Sequence, residues 1–245
     1  MNPLIIVLGI VIFVILYYII QYYFFTTKSL AAKIYLKESP ADISSNVIIN
    51  PSSILYSFGT WVYVNNFSNC RLFTYSTTAT TTATTTTDNT LFTLVLGKDG
   101  TIGENNKPKL TAFINGKKSS NVNINKQVII SNNFPIQKWV HVLVSVDTTF
   151  VDCYLDGKLV VSNPLTPNEQ ITTAPTAVPS ITFKNSTNPS PDIYLAKLTR
   201  WDYALDPQMV WTEYSSGNGI SSNEFAIGMT IKSEDNIKNY NIYSN

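Results

Sequence analysis

Cysteine, histidine and charge are all scarce in this chain. Its 245 residues include two cysteines and one histidine, and only 13% of them are charged, with a net charge of +1. Two cysteines are too few for a disulfide framework. A chain this close to neutrality also lacks the basic surface that nucleic-acid binding requires. The composition therefore excludes a small disulfide-rich scaffold and gives no reason to expect a nucleic-acid partner.

Paired acidic residues are missing as well. Retaining glycosidases need two carboxyl groups about 5–5.5 Å apart, and on a β-strand alternate residues would supply them, as in Glu-x-Asp-x-Glu. The sequence contains no such run, and Glu234 beside Asp235 is the one adjacent acidic pair that involves a glutamate. The single histidine, His141, has no neighbouring metal-ligand or nucleophile motif. We therefore expect a structural histidine, no catalytic residues and no enzyme.

Residues 4–25 differ from the rest of the chain because all of them except Gln21 are apolar or aromatic. As a helix this run is about 33 Å long at ~1.5 Å per residue, which matches a hydrocarbon core of about 30 Å. A cleaved signal peptide is the alternative, but no Lys or Arg precedes the run and it is longer than a signal h-region. We predict a transmembrane anchor over residues 1–27. Its representative residues are Leu4, Phe13, Tyr17, Tyr22 and Phe25.

Basic residues predict the orientation of this anchor. None lies before the apolar run, whereas Lys28, Lys33 and Lys37 follow it closely. The positive-inside rule then places the remainder of the chain on the cytoplasmic side of the membrane. Two cysteines that are predicted to be unpaired agree with a reducing compartment. We expect a single-pass membrane protein whose large domain faces the cytoplasm.

Residues 139–161 show alternating apolar positions and a hairpin turn, a pattern that recurs in much of the chain. Valine occupies every second position from Val140 to Val146, which places these side chains on one face of a strand. Asp156-Gly157 is a strong hairpin signal, since its turn needs positive φ at both residues. The stretch is typical of a three-strand antiparallel meander. Cys153 alternates with apolar neighbours, so a buried free thiol is favoured over a bond to Cys70.

Similar short strands recur from residue 53 to residue 205, with Asn115-Gly116 predicted as a further hairpin turn. Residues 77–90 are rich in threonine and predict an exposed loop. Residues 206–214 predict one short helix, with Asp206 as the cap and with Met209, Val210 and Tyr214 on one face. These patterns predict an all-β, two-sheet antiparallel sandwich. Its expected parts are a connector over 28–52 with a short strand near 32–36, the sandwich over 53–214 and an extended tail over 215–245.

Three pieces of the sequence, in this order, resemble the laminin-G-like jelly roll of the concanavalin A-like lectin/glucanase superfamily. They are FGTWV at 58–62, then WVHV at 139–142 with CYLDGK at 153–158, and LTRWDYAL at 198–205. The resemblance covers about residues 50 to 215. It implies a jelly-roll sandwich but says little about activity, because functional sites vary widely on one fold.

A looser resemblance concerns the whole chain. An N-terminal anchor on such a domain, in a sequence rich in Thr, Asn and Ile, is similar to membrane or minor capsid proteins of large DNA viruses with an internal membrane. This implies a structural module of the virion inner membrane that ties the bilayer to other capsid proteins. In the polar tail, Tyr240 and Tyr243 are the expected partner contacts, since tyrosine offers a large contact area at low entropic cost.

A membrane-anchored, lectin-like receptor is the alternative function, with glycans as partners. It would need exposed aromatic side chains over a sheet, and core packing explains Trp61, Trp139 and Trp201 equally well. The candidate aromatic residues are Tyr56, Tyr63, Tyr75, Trp201 and Tyr203. The family resemblance also raises calcium as a cofactor, but no loop concentrates the six to eight oxygen ligands it prefers. The aspartates considered for it are Asp88, Asp147, Asp152, Asp156, Asp192 and Asp202. We expect no other cofactor.

Overall fold

The computed structural model describes residues 9–17, 29–67, 69–77, 90–98, 107–118, 123–183, 191–219, 228–233 and 236–241. Residues 9–17 form helix α1, in which Phe13 is 73% and Tyr17 54% exposed. Among the residues described, no helix combines the length and the apolar character needed to cross a membrane. Leu4, Tyr22 and Phe25, the other predicted anchor residues, lie outside the described part.

Two antiparallel sheets form the domain, which confirms the predicted all-β sandwich. The first sheet has six strands in the order β1-β11-β2-β7-β8-β9, and the second has five in the order β10-β3-β4-β5-β6. The first comprises β1 Ala31–Tyr35, β2 Tyr56–Asn66, β7 Trp139–Val146, β8 Phe150–Leu155, β9 Lys158–Pro164 and β11 Asp192–Trp201. The second comprises β3 Cys70–Thr77, β4 Thr90–Lys98, β5 Pro108–Lys117, β6 Asn123–Ser131 and β10 Pro179–Thr182.

Side chains from both sheets fill one core between them. Every second residue of β7, from Val140 to Val146, is buried there, as the alternation predicted. Phe58 of β2 contacts Phe73, Tyr75 and Phe92 of the opposite sheet, with ring centroids 5.0 to 5.3 Å apart. Aromatic contacts of this kind contribute about 0.5–1.5 kcal/mol beyond the area that they bury. These contacts therefore pack the two sheets against each other.

The region assigned to the connector contributes to the sandwich. Its predicted short strand is β1, which pairs with β11 at the edge of the six-stranded sheet. Ile43 forms a bridge with Ile181 of β10, at the edge of the other sheet. Residues 31–43 therefore contact one edge of each sheet.

The predicted turn at Asn115-Gly116 is wrong. Both residues lie within β5, where they pair with Asn125 and Ile124 of β6. A Cβ atom on Gly116 would lie 2.7 Å from side-chain atoms of Ile171, so close packing accounts for the glycine. Tertiary contacts have overridden the local preference of Asn-Gly for a turn.

Asp156-Gly157 does form the expected hairpin between β8 and β9. Their φ angles are 48° and 73°, a region that glycine enters without strain. A Cβ atom on Gly157 would also lie 2.9 Å from the rings of Trp211 and Tyr214. The turn therefore passes directly beneath the helix that follows β11.

That helix, α2, spans Pro207–Ser215 and begins as predicted. Asp206 Oδ1 accepts a hydrogen bond from the backbone N–H of Met209 at 2.8 Å, and Pro207 occupies the first turn. Val210 packs into a second, smaller core on the outer face of the six-stranded sheet, whereas Met209 is 46% exposed and does not share that face. The other members of this core are Leu143, Tyr154, Trp201 and Leu205.

In the tail, the described backbone forms a hairpin-like pair of strands. Strand β12, Gly228–Ser233, pairs antiparallel with β13, Asn236–Asn241, in a sheet of their own. Tyr240 is opposite Met229 in this pair, and Tyr243 lies outside the described residues. This pair of strands lies within the tail that the sequence predicts to be extended.

Candidate functional site

Four aromatic residues lie side by side on the outer face of the six-stranded sheet. Tyr35 of β1 is opposite Tyr194 of β11, Tyr194 is opposite Tyr63 of β2, and Tyr63 is opposite Trp139 of β7. All four side chains are partly exposed, while their strand neighbours point into the core. These residues, here called the aromatic row, cross four adjacent strands.

The rings of the aromatic row contact one another in sequence. Tyr35 and Tyr194 are stacked, with centroids 4.2 Å apart and planes 4° apart. Tyr194 and Tyr63 meet edge to face at 6.4 Å, and Tyr63 and Trp139 are tilted by 48° at 5.5 Å. The row thus has a stacked end, formed by Tyr35 and Tyr194, and a tilted end, formed by Tyr63 and Trp139.

Polar side chains accompany the stacked end of the row. Asp192 Oδ1 accepts a hydrogen bond from the Tyr35 hydroxyl at 3.1 Å, and Asp192 Oδ2 accepts one from Asn65 Nδ2 at 2.9 Å. Partial burial, with hydrogen bonds to Tyr194 and Asp192, raises the pKa of Tyr35 above its ordinary value. The phenol therefore stays protonated at neutral pH. A carboxylate, an amide and hydroxyl groups lie directly beside the rings.

One step along the strands from the tilted end, the sheet is covered by α2. Trp61, two residues from Tyr63, and His141, two residues from Trp139, have ring centroids 5.2 Å apart. Tyr214 of α2 stacks on Trp61 at 5.5 Å and lies 6.0 Å from His141. We call these three residues the α2 cluster. It forms the boundary of the aromatic row on the side of the helix.

His141 is buried in this cluster, with 1% of its surface exposed. Burial, together with the nearby charge of Lys197, lowers its pKa to about 4. Neither His141 Nδ1 nor Trp61 Nε1 has a hydrogen-bond partner among the described residues. At neutral pH the imidazole is therefore uncharged and serves as a packing group, as the sequence predicted.

An ion pair holds the C-terminal end of α2 against the sheet. Lys197 Nζ lies 2.8 Å from Glu213 Oε1 and also donates to the Ser216 hydroxyl. Lys197 has a φ of 51° at an irregularity in the pairing of β11 with β2, which turns its side chain toward the helix end. The two side chains are 19% and 10% exposed, so solvent screens this pair less than an exposed ion pair.

The structure separates the aromatic residues that the sequence grouped together. Tyr56 and Tyr75 are buried between the sheets, and Trp201 lies beneath α2, so none of the three can meet a ligand. Tyr63 belongs to the aromatic row, and Tyr203 is 44% exposed. Trp139, which core packing also explained, is partly exposed in the row.

Sequence reasoning missed two members of the row. Tyr35 falls in the predicted connector, and no sequence motif singles out Tyr194. Each has a signal in its strand pattern, because Tyr35 follows buried Ile34 and Tyr194 lies between buried Ile193 and Leu195. That pattern shows only that the two side chains point outward. Their proximity depends on the pairing of β1 with β11.

His141 and Cys153 do not share a face of the six-stranded sheet. Cys153 faces the core between the sheets, while His141 lies on the opposite face of the same sheet. Both cysteines are free and buried, which agrees with the buried free thiol favoured for Cys153, and burial raises the pKa of each thiol to about 12. Both cysteines are therefore unreactive residues that pack in the core.

The described aspartates are dispersed rather than clustered. Asp147 accepts from the backbone of Thr148, Asp156 from the backbone of His141, and Asp202 from Asn50. Within the part of the chain that the structure describes, no group of three or more His, Cys, Asp or Glu side chains is arranged to hold a metal ion. Asp88 lies outside that part.

The family is settled by sequence together with fold. The model of a laminin G family, described as the concanavalin A-like lectin/glucanases superfamily, matches residues 39–210, well over half of the chain. The chain belongs to this superfamily. The match begins in the region between β1 and β2 and ends within α2. The short strand of the connector precedes it. No curated protein matches the sequence.

Solved structures with the same superfamily fold include toxin domains. The receptor-binding domain of botulinum neurotoxin D aligns with a TM-score of 0.50 and 11% identity, over 76% of this chain and 44% of that one. The ligand-binding domain of botulinum neurotoxin serotype D in complex with N-acetylneuraminic acid aligns with a TM-score of 0.51 and 12% identity, over 76% and 42%. The chain thus spans less than half the length of these domains.

Proposed function

We propose that this domain binds carbohydrate through the aromatic row and the polar groups beside it. The observation that carries the proposal is the alignment of four partly exposed aromatic residues across adjacent strands. A sugar ring presents an apolar C–H face and a rim of hydroxyl groups. Partly exposed Tyr and Trp rings match the face, since they combine an apolar surface with a polar handle. Asp192 and Asn65 match the rim as acceptor and donor.

The fold agrees with such a role without assigning it. The superfamily includes lectins, and one of the similar toxin domains was solved with N-acetylneuraminic acid. The same superfamily includes glucanases, yet the described surface offers aromatic and hydrogen-bonding groups rather than paired carboxylates. We accordingly propose a binding module and no catalytic activity.

Truncation of the tilted end of the row is the direct test. Trp139→Ala and Tyr63→Ala should each weaken glycan binding about 30-fold, because an anchoring aromatic contributes about 2 kcal/mol. Binding is measured by calorimetry with the sugars that a glycan array identifies. Tyr203→Ala is the matched control, since Tyr203 is 44% exposed and lies outside the row.

The control should bind as the parent protein does. Far-UV circular dichroism of all three variants establishes that the sandwich persists. If Trp139→Ala and Tyr63→Ala fold normally and retain full affinity, the aromatic row is not the binding site.

We further propose that residues 4–25 attach the domain to a membrane, with the domain on the cytoplasmic side. The apolar run supports this, and in α1 the apolar side chains from Ile10 to Leu16 are 45–73% exposed and available to lipid. The chain should remain in the membrane pellet after alkaline carbonate extraction. Ile12→Lys should release part of it, since a lysine at the centre of a span costs about 2.5–3.5 kcal/mol. Ile49→Lys, at a site 71% exposed in the domain, should not.

Extraction of the parent chain by carbonate would contradict the anchor. Release by Ile49→Lys as well as by Ile12→Lys would show that the added charge acts through the domain and not through the span. The role in a viral capsid and at the virion inner membrane stays a prediction from the sequence, and so do the partner contacts of Tyr240 and Tyr243.

A further inference from the structure

One end of the sandwich exposes large apolar and aromatic side chains. Val47 and Ile49 are 60% and 71% exposed on the loop before β2, whereas Ile48 between them is buried in the core. Tyr203, just after β11, and Phe150, at the start of β8, are exposed as well. We call this surface the apolar end, and its members are Val47, Ile49, Phe150 and Tyr203.

Strand pairing brings the strand-end members of this surface together. Tyr56, the first residue of β2, is opposite Val146, the last residue of β7, and Val146 is opposite Val151 of β8. Trp201, the last residue of β11, is opposite Ser57 of β2. Strands β2 and β8 therefore begin where β7 and β11 finish, so the exposed phenylalanine and tyrosine lie at the same end of the sheet.

Hydrogen bonds fix the loop before β2 to the same end. Arg200 Nη1 donates to the Ile49 carbonyl at 2.8 Å. Just beyond β11, Asp202 accepts from Asn50 through its carboxylate at 3.2 Å and from the Ser53 hydroxyl through its carbonyl at 2.9 Å. Because the loop is already ordered by these bonds, a partner that covers its apolar side chains pays little further cost in backbone entropy.

Charge is distributed unequally between the two ends of the sandwich. Residues 43–70 contain no Asp, Glu, Lys or Arg. Two acidic side chains of the apolar end, Asp147 and Asp202, accept hydrogen bonds within the domain. Lys37, which follows β1, and Lys138, which precedes β7, are exposed at the opposite end. The composition of the apolar end therefore favours a partner that is held by apolar contact.

The chain also enters the sandwich at this end. Strand β1 runs antiparallel to β11 with Ala31 opposite Leu198, and the Leu30 N–H donates to the Leu198 carbonyl at 2.7 Å. The residues before β1 thus lead toward the end of β11. Six peptide links join Phe25, the last residue of the apolar run, to Ala31, and six residues span at most about 22 Å.

We infer that the apolar end rests on the surface of the lipid bilayer. The inference rests on the proposed membrane attachment of residues 4–25, which holds the start of β1 close to the bilayer. Apolar side chains gain free energy at the boundary of headgroups and acyl chains, which interfacial segments enter by about 5–10 Å. Tyr203 suits this layer, since its ring is apolar and its hydroxyl stays hydrated. The aromatic row lies toward the other ends of the same strands, away from the bilayer.

Quenching by lipid tests the inference on the full chain in phosphatidylcholine vesicles. Ile49→Cys and Ile136→Cys each carry a nitrobenzoxadiazole label, while Cys70 and Cys153 are buried and stay unlabelled. Ile136 is the matched control, because it is an exposed isoleucine just before β7, at the opposite end. Lipid with a nitroxide near the headgroup should quench the label at position 49 about threefold more strongly than the label at position 136.

Two further measurements identify the nature of the contact. Val47→Asp should reduce the quenching at position 49 at least about twofold, because a carboxylate resists leaving water, and Ile136→Asp should not change it. Raising the salt from about 0.1 M to about 1 M, which shortens the Debye length from about 10 Å to about 3 Å, should alter the quenching by less than about twofold. Carbonate extraction does not report this contact, since the span alone retains the chain.

The outcomes separate the contact from the anchor. If the chain does not float with the vesicles, the proposed anchor fails and the inference fails with it. If the chain floats and circular dichroism shows a folded domain, yet both labels are quenched alike, the anchor stands and this inference is wrong. An emission shift at position 49 that grows with the ratio of protein to lipid, without quenching, would assign the apolar end to a second copy of the chain and would also overturn it.

Discussion

Acidification from pH 6.5 to pH 4 is expected to lower the free energy of unfolding by about 3 kcal/mol through His141. In the folded domain the pKa of this histidine is about 4, because it is buried and lies near Lys197. In the unfolded chain it returns to its ordinary value of 6.5. Between these two values the unfolded state binds the proton and the folded state does not. Stability is therefore complete above pH 6.5 and falls as the pH is lowered toward 4.

The charges around His141 offer the imidazolium little compensation. Lys197 is paired with Glu213 of α2, and Asp156 of the β8–β9 turn accepts from the backbone N–H of His141 rather than from its ring. Lys158 follows in the same turn. Among the described acidic side chains, Glu169 has a strongly lowered pKa of about 2, because it accepts hydrogen bonds from Lys126 and Thr166. The stability that it contributes is lost mainly below pH 4.5. The histidine thus dominates the window from 6.5 to 4.

Urea denaturation at several pH values, on the parent chain and on His141→Gln, measures this effect. Glutamine cannot take up a proton, so the variant should show a nearly flat stability between pH 6.5 and 4.5. Intrinsic fluorescence follows the unfolding through Trp61, which belongs to the α2 cluster, and Trp211, which lies beside it. An equal acid sensitivity in the parent and the variant would show that His141 is not the titrating group.

Replacement of Arg200 by methionine is expected to lower the free energy of unfolding by about 3 kcal/mol. Arg200 lies in β11 with 8% of its surface exposed, and its Nη1 donates to the Ile49 carbonyl at 2.8 Å. Its guanidinium carbon is 5.2 Å from the centroid of the Tyr75 ring and 6.0 Å from that of Tyr56. Removing it leaves the Ile49 carbonyl without this donor and ends both cation–π contacts.

This loss of stability should arise from the contacts between the sandwich and residues 49–51. Arg200 Nη2 also reaches the Asn50 carbonyl at 3.4 Å, and the Tyr75 hydroxyl donates to the carbonyl of Pro51, so these side chains tie residues 49–51 to the sandwich. Arg71→Met, at an exposed position of β3, is the matched control and should change stability by less than about 0.5 kcal/mol. Urea denaturation at pH 7 compares the two. Similar losses in both variants would contradict the role assigned to Arg200.

Much of the fold follows from local sequence patterns. The alternating valines of β7 predict a buried face, Asp156-Gly157 predicts the hairpin that joins β8 to β9, and Asp206-Pro207 predicts the start of α2. These signals act over a few residues and depend on backbone geometry that the residues themselves impose. The buried state of Cys153 follows from the same alternation.

Errors arise where distant contacts override such signals. Asn115-Gly116 has the composition of a turn, yet β5 continues through it because Ile171 packs against Gly116. Met209 has the spacing of a buried helical residue, but α2 rests on the sheet through Val210. The neighbouring residues in the sequence show neither the contact between Ile171 and Gly116 nor the face that α2 turns toward the sheet.

The all-β sandwich, its superfamily resemblance and the apolar run that we assign to a membrane all follow from the sequence. The candidate site follows only from the fold. Residues 35, 63, 139 and 194 are far apart in the chain, and each pattern shows only that a side chain points outward. Their alignment in one row depends on the order β1-β11-β2-β7 and on the register of three strand pairs. Register is set by the packing of the whole core, since a shift of one residue would turn every row side chain inward.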